Sequence, residues 1–540
     1  MESSIVSLRH SLAIILLLAT AAASAQNTKP FDAAAAFGAR PSVSNMSLSP
    51  DGQRVAYVAA YVGQGSVLYT RGLEKGAHEK PVTRVDGKPD RLGKCSWVTN
   101  DRLVCEIYGG TRTALGIMPW SRLIAINADG TNVKELSTRQ NFYSRGLQLG
   151  GGSVLDWLPD EDGSVLLTRQ YLPDDHTGSH IGSAEDGLGV DRIDTRTLSV
   201  VHVERPIRDA DDYITDGRGT VRIMGSRETR AGLDNGIIHY EYRVQNSRDW
   251  KHFCDYDSFK GEGFEPLTVD HDRNLAYGLK KQGGRKALYS VSLDESLHEE
   301  LVYSRPDVDV DSLIQIGRRQ RTIGVSYATT VRHAEYFSPD VKQMLVALAK
   351  AIPGVALDVV DSSTDESKML IFAGSDADPG VYYIFDRKAH TLNTFLVVRD
   401  PLEGVKLATV KPIEYPAADG VMVPAYLTLP PGHEDAKGLP AIVLPHGGPS
   451  ARDEWGFDWL SQFFANRGYA VLQPNFRGST GYGDAWFQQN GFHSWPIAIG
   501  DILAAGHWLV SQGIADPSKL GVVGWSYGGY AALQSAVVDS

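Results

Sequence analysis

Gly524-Trp525-Ser526-Tyr527-Gly528-Gly529 lies between the apolar run Leu520-Gly521-Val522-Val523 and the helix-patterned stretch from Tyr530 to Val538, and it is the segment on which the fold reading turns. A strand that ends in G-x-S-x-G and reopens as a helix reads as a nucleophile elbow. The glycines leave room for a strained turn that lifts the serine hydroxyl above the sheet edge and aims the next backbone N–H at a developing oxyanion. Ser526 is thereby the candidate nucleophile and Tyr527 a candidate oxyanion donor. With 55 glycines in 540 residues the bare pattern is weak, and a glycine-rich turn carrying an ordinary serine has the same local signature. Context has to decide between the two.

That context lies upstream. Leu439-Pro440-Ala441-Ile442-Val443-Leu444-Pro445 reads as a buried strand, and it runs into His446-Gly447-Gly448-Pro449, whose glycines can turn backbone N–H groups toward the serine. Phe463 to Leu472 reads as a helix end capped by Gly468 and then a strand. The strand leads into the glycine-rich loop Asn475-Phe476-Arg477-Gly478-Ser479-Thr480-Gly481-Tyr482-Gly483. Pro496 to Val510 carries Ile497, Ile499, Ile502, Leu503, Leu509 and Val510 at helical spacing, with Gly513 just beyond. Strand, helix, strand, helix, strand, elbow, helix is the order of a parallel sheet wrapped by helices.

Taken in order, the His446-Gly447-Gly448-Pro449, Asn475 to Gly483 and Gly524 to Gly529 motifs resemble the catalytic domain of the prolyl oligopeptidase family, with the dipeptidyl-peptidase and acylaminoacyl-peptidase branch the closer match. The resemblance is sharp from about Val410 to Ser540 and architectural before it. It implies an α/β-hydrolase domain capped by a β-propeller, acting as a serine peptidase on short peptides without a cofactor. Carried over, Ser526 matches the nucleophile, Tyr527 the elbow oxyanion donor and the Gly448 N–H the second donor, with His446 and Gly447 shaping the loop. Arg477 and Asp501 are read as structural.

In an elbow of this type the acid and the histidine follow the serine. Between Tyr527 and Ser540 there is no histidine, and Asp539 is the single acid, at the far end of the elbow helix. The expectation is a chain truncated after the elbow and inactive or nearly so, because a serine without a base is a weak nucleophile. Upstream pairs of His493 or His507 with Asp484 or Asp501 belong to triad orders of other folds.

At the other end, Arg9 and His10 precede the apolar run Ser11 to Ala19, followed by Ala23-Ser24-Ala25, which reads as a signal peptide over 1–25 and implies a periplasmic or secreted chain. An uncleaved anchor is the alternative. From 26 to 400 turn clusters recur between short β-prone runs, at Ser49-Pro50-Asp51-Gly52, Thr99-Asn100-Asp101, Asp160 to Gly163, Asp216 to Gly219, Asp270 to Asn274, Gly317-Arg318-Arg319 and Ser362 to Asp365. Seven turns at blade-length spacing predict a seven-bladed propeller, with β-sandwiches the competing architecture; residues 401–540 form the incomplete α/β-hydrolase domain.

The same patterning sets Cys95 and Cys105 opposite each other in a hairpin, either as a disulfide or as two buried thiols, and leaves Cys254 over. Three cysteines so spaced make no zinc pattern, and His176 and His180 fall in a loop. No metal site is expected. The net charge of −12 is spread out, with no basic stripe for nucleic acid and no membrane span after the leader. Propeller acids hold the substrate amine in dipeptidyl-peptidase relatives, but no motif here singles one out. An esterase on the same fold and a non-catalytic propeller binding module remain the competing functions.

Overall fold

The computed structural model describes residues 31–114, 116–137, 144, 146–161, 163–174, 183–230, 232–487 and 494–539. The leader 1–25, the His176 and His180 pair and His493 lie outside the described residues.

Seven antiparallel sheets follow one another along the chain, at 43–85, 91–135, 153–207, 210–263, 265–303, 312–336 and 356–397, and form the seven blades of a propeller. Each turn cluster singled out in the sequence joins the first strand of a blade to its second. The composition of those clusters has a backbone cause. Gly52, Gly217 and Asn274 stand there at φ of 66°, 69° and 53°, in the left-handed region that glycine and asparagine enter most readily. The runs Leu123 to Asn127, Arg192 to Asp194, Leu288 to Val291 and Val381 to Asp386 are all third strands.

Every blade is built from consecutive strands, so the ring closes with no strand shared between its first and last blades. Side chains make the seam. Val43, Met46, Leu48, Val55 and Tyr57 of the first blade pack with Leu370 and Ile384 of the seventh. The Asp361 carboxylate accepts from the Leu48 N–H at 2.8 Å and from the Ser47 hydroxyl at 2.9 Å. In the second blade Cys95 and Cys105 are register partners, fully buried and joined as a disulfide. Cys254 is half-buried, its thiol 3.4 Å from the Phe264 carbonyl.

One element in this half has no counterpart in the strand-and-turn reading. The sixth blade has three strands, and the helix Pro339–Ala351 follows it. Val341, Leu345 and Leu348 on one helix face bury against Ile316 and Ile323 of the sixth blade and Met369 and Ile371 of the seventh. Pro339 in the first turn and Asp340 beside it favour a helix start there.

The C-terminal sheet runs in the order Val410–Pro416, Met422–Thr428, Ala470–Pro474, Leu439–Val443, Ala515–Val522. The last three strands are mutually parallel, and the first two form an antiparallel hairpin laid against them. Ala470–Pro474 is buried at every position, as expected of a central strand covered on both faces. The helix Trp495–Ser511 covers one face with Ile499, Ile502, Ala505 and Leu509. The helix Ala33–Gly38, capped by Asp32, packs Phe37 against Leu402 and Phe463. Residues 33–38, inside the 26–400 span expected for the propeller, therefore pack on the hydrolase side, and the first blade starts at Val43.

Candidate active site

Ser526 stands between the strand Ala515–Val522 and the helix Tyr527–Val538. The helix starts at Tyr527, three residues earlier than the sequence pattern suggests, so the serine is its N-cap. Ser526 has φ 54° and ψ −126°, a conformation that costs a non-glycine residue roughly 1–3 kcal/mol and that the surrounding packing has to enforce. Two glycines make the enforcement possible. A Cβ on Gly524 would sit 2.5 Å from the Gly528 carbonyl carbon, and a Cβ on Gly528 would sit 2.3 Å from the Pro445 carbonyl oxygen. The Ser526 side chain is thereby held at the exposed end of the sheet.

The 446–449 turn reaches the same place. A Cβ on Gly447 would lie 3.4 Å from the Ser526 Cβ and 3.8 Å from its Oγ, which brings this backbone into contact with the serine. Gly448, at φ 117°, abuts the backbone of Ser450 and Ala451. Tyr527 is the first helical residue, where backbone N–H groups project out of the helix and the dipole favours negative charge.

His446 is nearest in sequence to this turn, and its ring shapes the turn. Its Nδ1 lies 2.7 Å from the Gly447 carbonyl oxygen and its Nε2 2.8 Å from the Ser479 hydroxyl, so both nitrogens are engaged away from Ser526. The ring stacks on Phe476 at 4.4 Å, and Phe476 stacks on Tyr527 at 5.8 Å. Burial pushes the imidazole down to about 4, so it is neutral at physiological pH. The column ties three separate sequence motifs together.

Arg477 and Asp501 form a buried ion pair beneath this surface. The guanidinium meets both Asp501 oxygens, its backbone N–H donates to Asp501 at 2.9 Å, and its outer edge meets Asp419 at 2.6 Å. His507 pairs with Asp539 at 2.7 Å on the protein surface, and Asp484 pairs with Lys281 of the propeller at 2.7 Å. Among the described residues, no imidazole or carboxylate hydrogen-bonds the Ser526 hydroxyl. Nor, among them, is any group of three or more His, Cys, Asp and Glu side chains placed to hold a metal ion.

A cavity of about 990 Å³ opens between the propeller and the hydrolase domain. Arg332 bridges Asp311 at 2.8 Å to Glu454 of the hydrolase domain at 2.5 Å across one side of it. Arg452 donates to the Ala328 and Thr329 carbonyls at 3.1 and 3.0 Å and stacks over Tyr482 at 4.4 Å. Asp358 also lines the cavity, and burial raises its carboxyl above the usual range. None of these residues stood out in the sequence. They come from separate blades and loops, and the sole local signal was Gly481 to Gly483, already read as a loop.

Residues 455–539 match the sequence profile of the prolyl oligopeptidase family. Dipeptidyl aminopeptidase BIII of Pseudoxanthomonas mexicana is 28% identical over 511 residues, which span 92% of this chain and 68% of the relative. Dipeptidyl peptidase family member 6 of Caenorhabditis elegans is 31% identical over 293 residues, 50% of this chain and 39% of that protein. The chain thus spans about two thirds of the first relative's length and about two fifths of the second's. A puromycin-hydrolysing peptidase of Mycobacterium tuberculosis superposes with a TM-score of 0.62 at 17% identity, covering 94% of this chain and 77% of the other, and so shares the fold.

Proposed function

From the premise that this chain belongs to the prolyl oligopeptidase family of serine peptidases, we propose that Ser526 is the nucleophile of an acyl-transfer reaction on short peptides. The observation that carries the reading is the strained, exposed Ser526 held by Gly524 and Gly528 beside the 446–449 turn. In the proposed chemistry the hydroxyl oxygen attacks a peptide carbonyl, and the Tyr527 and Gly448 N–H groups receive the negative charge that develops on its oxygen. The amine leaves with a proton and water releases the acyl group. Positioned amides at an oxyanion are worth ~3–4 kcal/mol of barrier each in related chemistry.

Two refinements belong to the same proposal. The substrate class is short peptides, supported by the cavity of about 990 Å³ between the domains and by the peptidase names of the relatives. The 540-residue chain by itself turns over poorly, because among the described residues no base is placed to take the Ser526 proton. Export is a further part of the reading, and a mature N-terminus at Gln26 by protein sequencing would bear it out.

A fluorophosphonate probe applied to the protein as its source makes it, with Ser526→Ala as control, separates a hydrolase from a non-catalytic propeller module. Labelling lost in the variant is expected; equal signal in both would overturn the nucleophile assignment. Turnover of aminoacyl chromogenic substrates by the 540-residue chain at the rate of a complete peptidase would overturn the missing-base part alone. An esterase shares this chemistry, and a preference for ester over amide substrates at saturating concentration would favour it.

A further inference from the structure

The strands of the propeller set a direction. The second-to-third-strand turns meet the hydrolase domain: the Gly284 carbonyl accepts from the Asp484 N–H at 2.7 Å, and the Ala328 and Thr329 carbonyls accept from Arg452. The first-to-second-strand turns therefore lie at the opposite, outer mouth of the axial channel. Six of them keep to the rim, where they bond to adjacent blades, as the Asp51 N–H does to the Asn100 side chain at 2.9 Å, the Thr364 N–H to the Pro50 carbonyl at 2.8 Å and Arg218 to Asp272 at 2.5 Å. The seventh, residues 317–320 of the sixth blade, reaches both ways around the ring.

Arg318 donates to the Leu48 carbonyl of the first blade at 2.8 Å and to the Trp97 carbonyl of the second at 2.7 Å. Arg319 runs the other way. Its guanidinium meets both oxygens of Asp160 in the third blade at 2.9 and 2.8 Å, and its carbonyl oxygen lies where a Cβ on Gly217 of the fourth would be 2.6 Å away. Counted from the sixth blade, the second and third are the farthest in a ring of seven, so a single turn that touches both spans the axis.

The voids on either side agree. A 440 Å³ cavity walled by first strands, including Lys94, Ser96 and Val359, lies within the channel. A 320 Å³ depression walled by outer turns, including His271 and Thr364, lies outside it; Gly317, Arg318 and Gln320 line both, and Arg319 lines the outer one.

We propose that Arg318 and Arg319 form a stopper across the outer mouth of the propeller, so that peptide-sized molecules reach the cavity between the domains from the side and not along the propeller axis. The stopper is held by neutral carbonyls on one flank and by a single carboxylate on the other. Loss of both guanidiniums removes the hydrogen bonds that, among the described residues, carry the turn across the channel.

The test places a thiol on the inner wall. Lys94→Cys, in a Cys254→Ser background that removes the half-buried free thiol, is alkylated with N-ethylmaleimide and with a branched poly(ethylene glycol) maleimide. With the stopper intact the bulky reagent is expected to lag far behind the small one; Arg318→Ala with Arg319→Ala should speed the bulky reaction about tenfold while leaving the small one nearly unchanged. A bulky reagent already fast with both arginines present, or unmoved by their removal, would overturn the proposal. Circular dichroism and melting temperature check the fold. Should the double variant not fold, Arg318→Lys with Arg319→Ala keeps the charge and one bond, and it is read by the same two outcomes.

Discussion

Gly528 and Pro445 are packed backbone to backbone, so that a methyl group on the glycine would stand 2.3 Å from the proline carbonyl oxygen. This contact joins the elbow helix to the strand that delivers the 446–449 turn, and it is the reason the two loops share one site.

Gly528→Ala is expected to drive the helix and the strand end apart, since the obstructing atom is backbone and cannot swing away. Overpacking of this kind costs about 1–3 kcal/mol, and a denaturant titration should show that loss with an unchanged slope. Gly529→Ala, whose Cβ would meet its nearest neighbour at 3.4 Å, should cost much less.

His446 gives the fold a pH signature. Its imidazole titrates at 6.5 in an unfolded chain and at about 4 in the folded one, because burial disfavours the charged ring. The unfolded state takes up the proton first, so the stability it contributes is complete above pH 6.5 and is lost as pH falls through 4. The full difference is on the order of 3 kcal/mol. In His446→Phe, which keeps a ring against Phe476, stability should fall less between pH 6.5 and 4.5 than in the native chain. Parallel curves would refute the burial argument.

The propeller was legible because its outer turns require particular backbone angles, and the residues that supply them, such as Gly52, Gly217 and Asn274, recur at blade spacing. The elbow was legible for a related reason, since close backbone approach leaves no room for a Cβ at Gly524 or Gly528 and so confines both positions to glycine. The helix Pro339–Ala351 left a local trace in Ser338-Pro339-Asp340 and in the spacing of Val341, Leu345 and Leu348, which the surrounding strand pattern masked. The docking of Phe37 on Phe463 and the Arg332 bridge between Asp311 and Glu454 had no trace at all. Each depends on chain segments that meet only after both domains have folded, and pattern rules see one segment at a time.

Cys95 and Cys105 close a loop ten residues apart in sequence inside the second blade. Chain-entropy arguments value such a link at about 3 kcal/mol. Cys95→Ala with Cys105→Ala should lower the denaturation midpoint accordingly, and non-reducing mass spectrometry of the native protein should find this pair linked with Cys254 free. Equal stability with and without the pair would show that the hairpin is already ordered in the unfolded chain.

Arg477 and Asp501 offer a sharper test of what supports the serine loop. Asp501 is fully buried and the guanidinium nearly so, which makes the pair costly to break from one side. Arg477→Met leaves a buried carboxylate without its main partner and should cost about 3–5 kcal/mol, whereas adding Asp501→Leu should recover much of that loss, because two apolar side chains need no desolvation compensation. If the pair acted directly in catalysis, the double variant of an active form would be as dead as the single one. If it holds Phe476 and Ser479 in place behind His446, activity should return together with stability, and a double-mutant cycle on both quantities distinguishes the two.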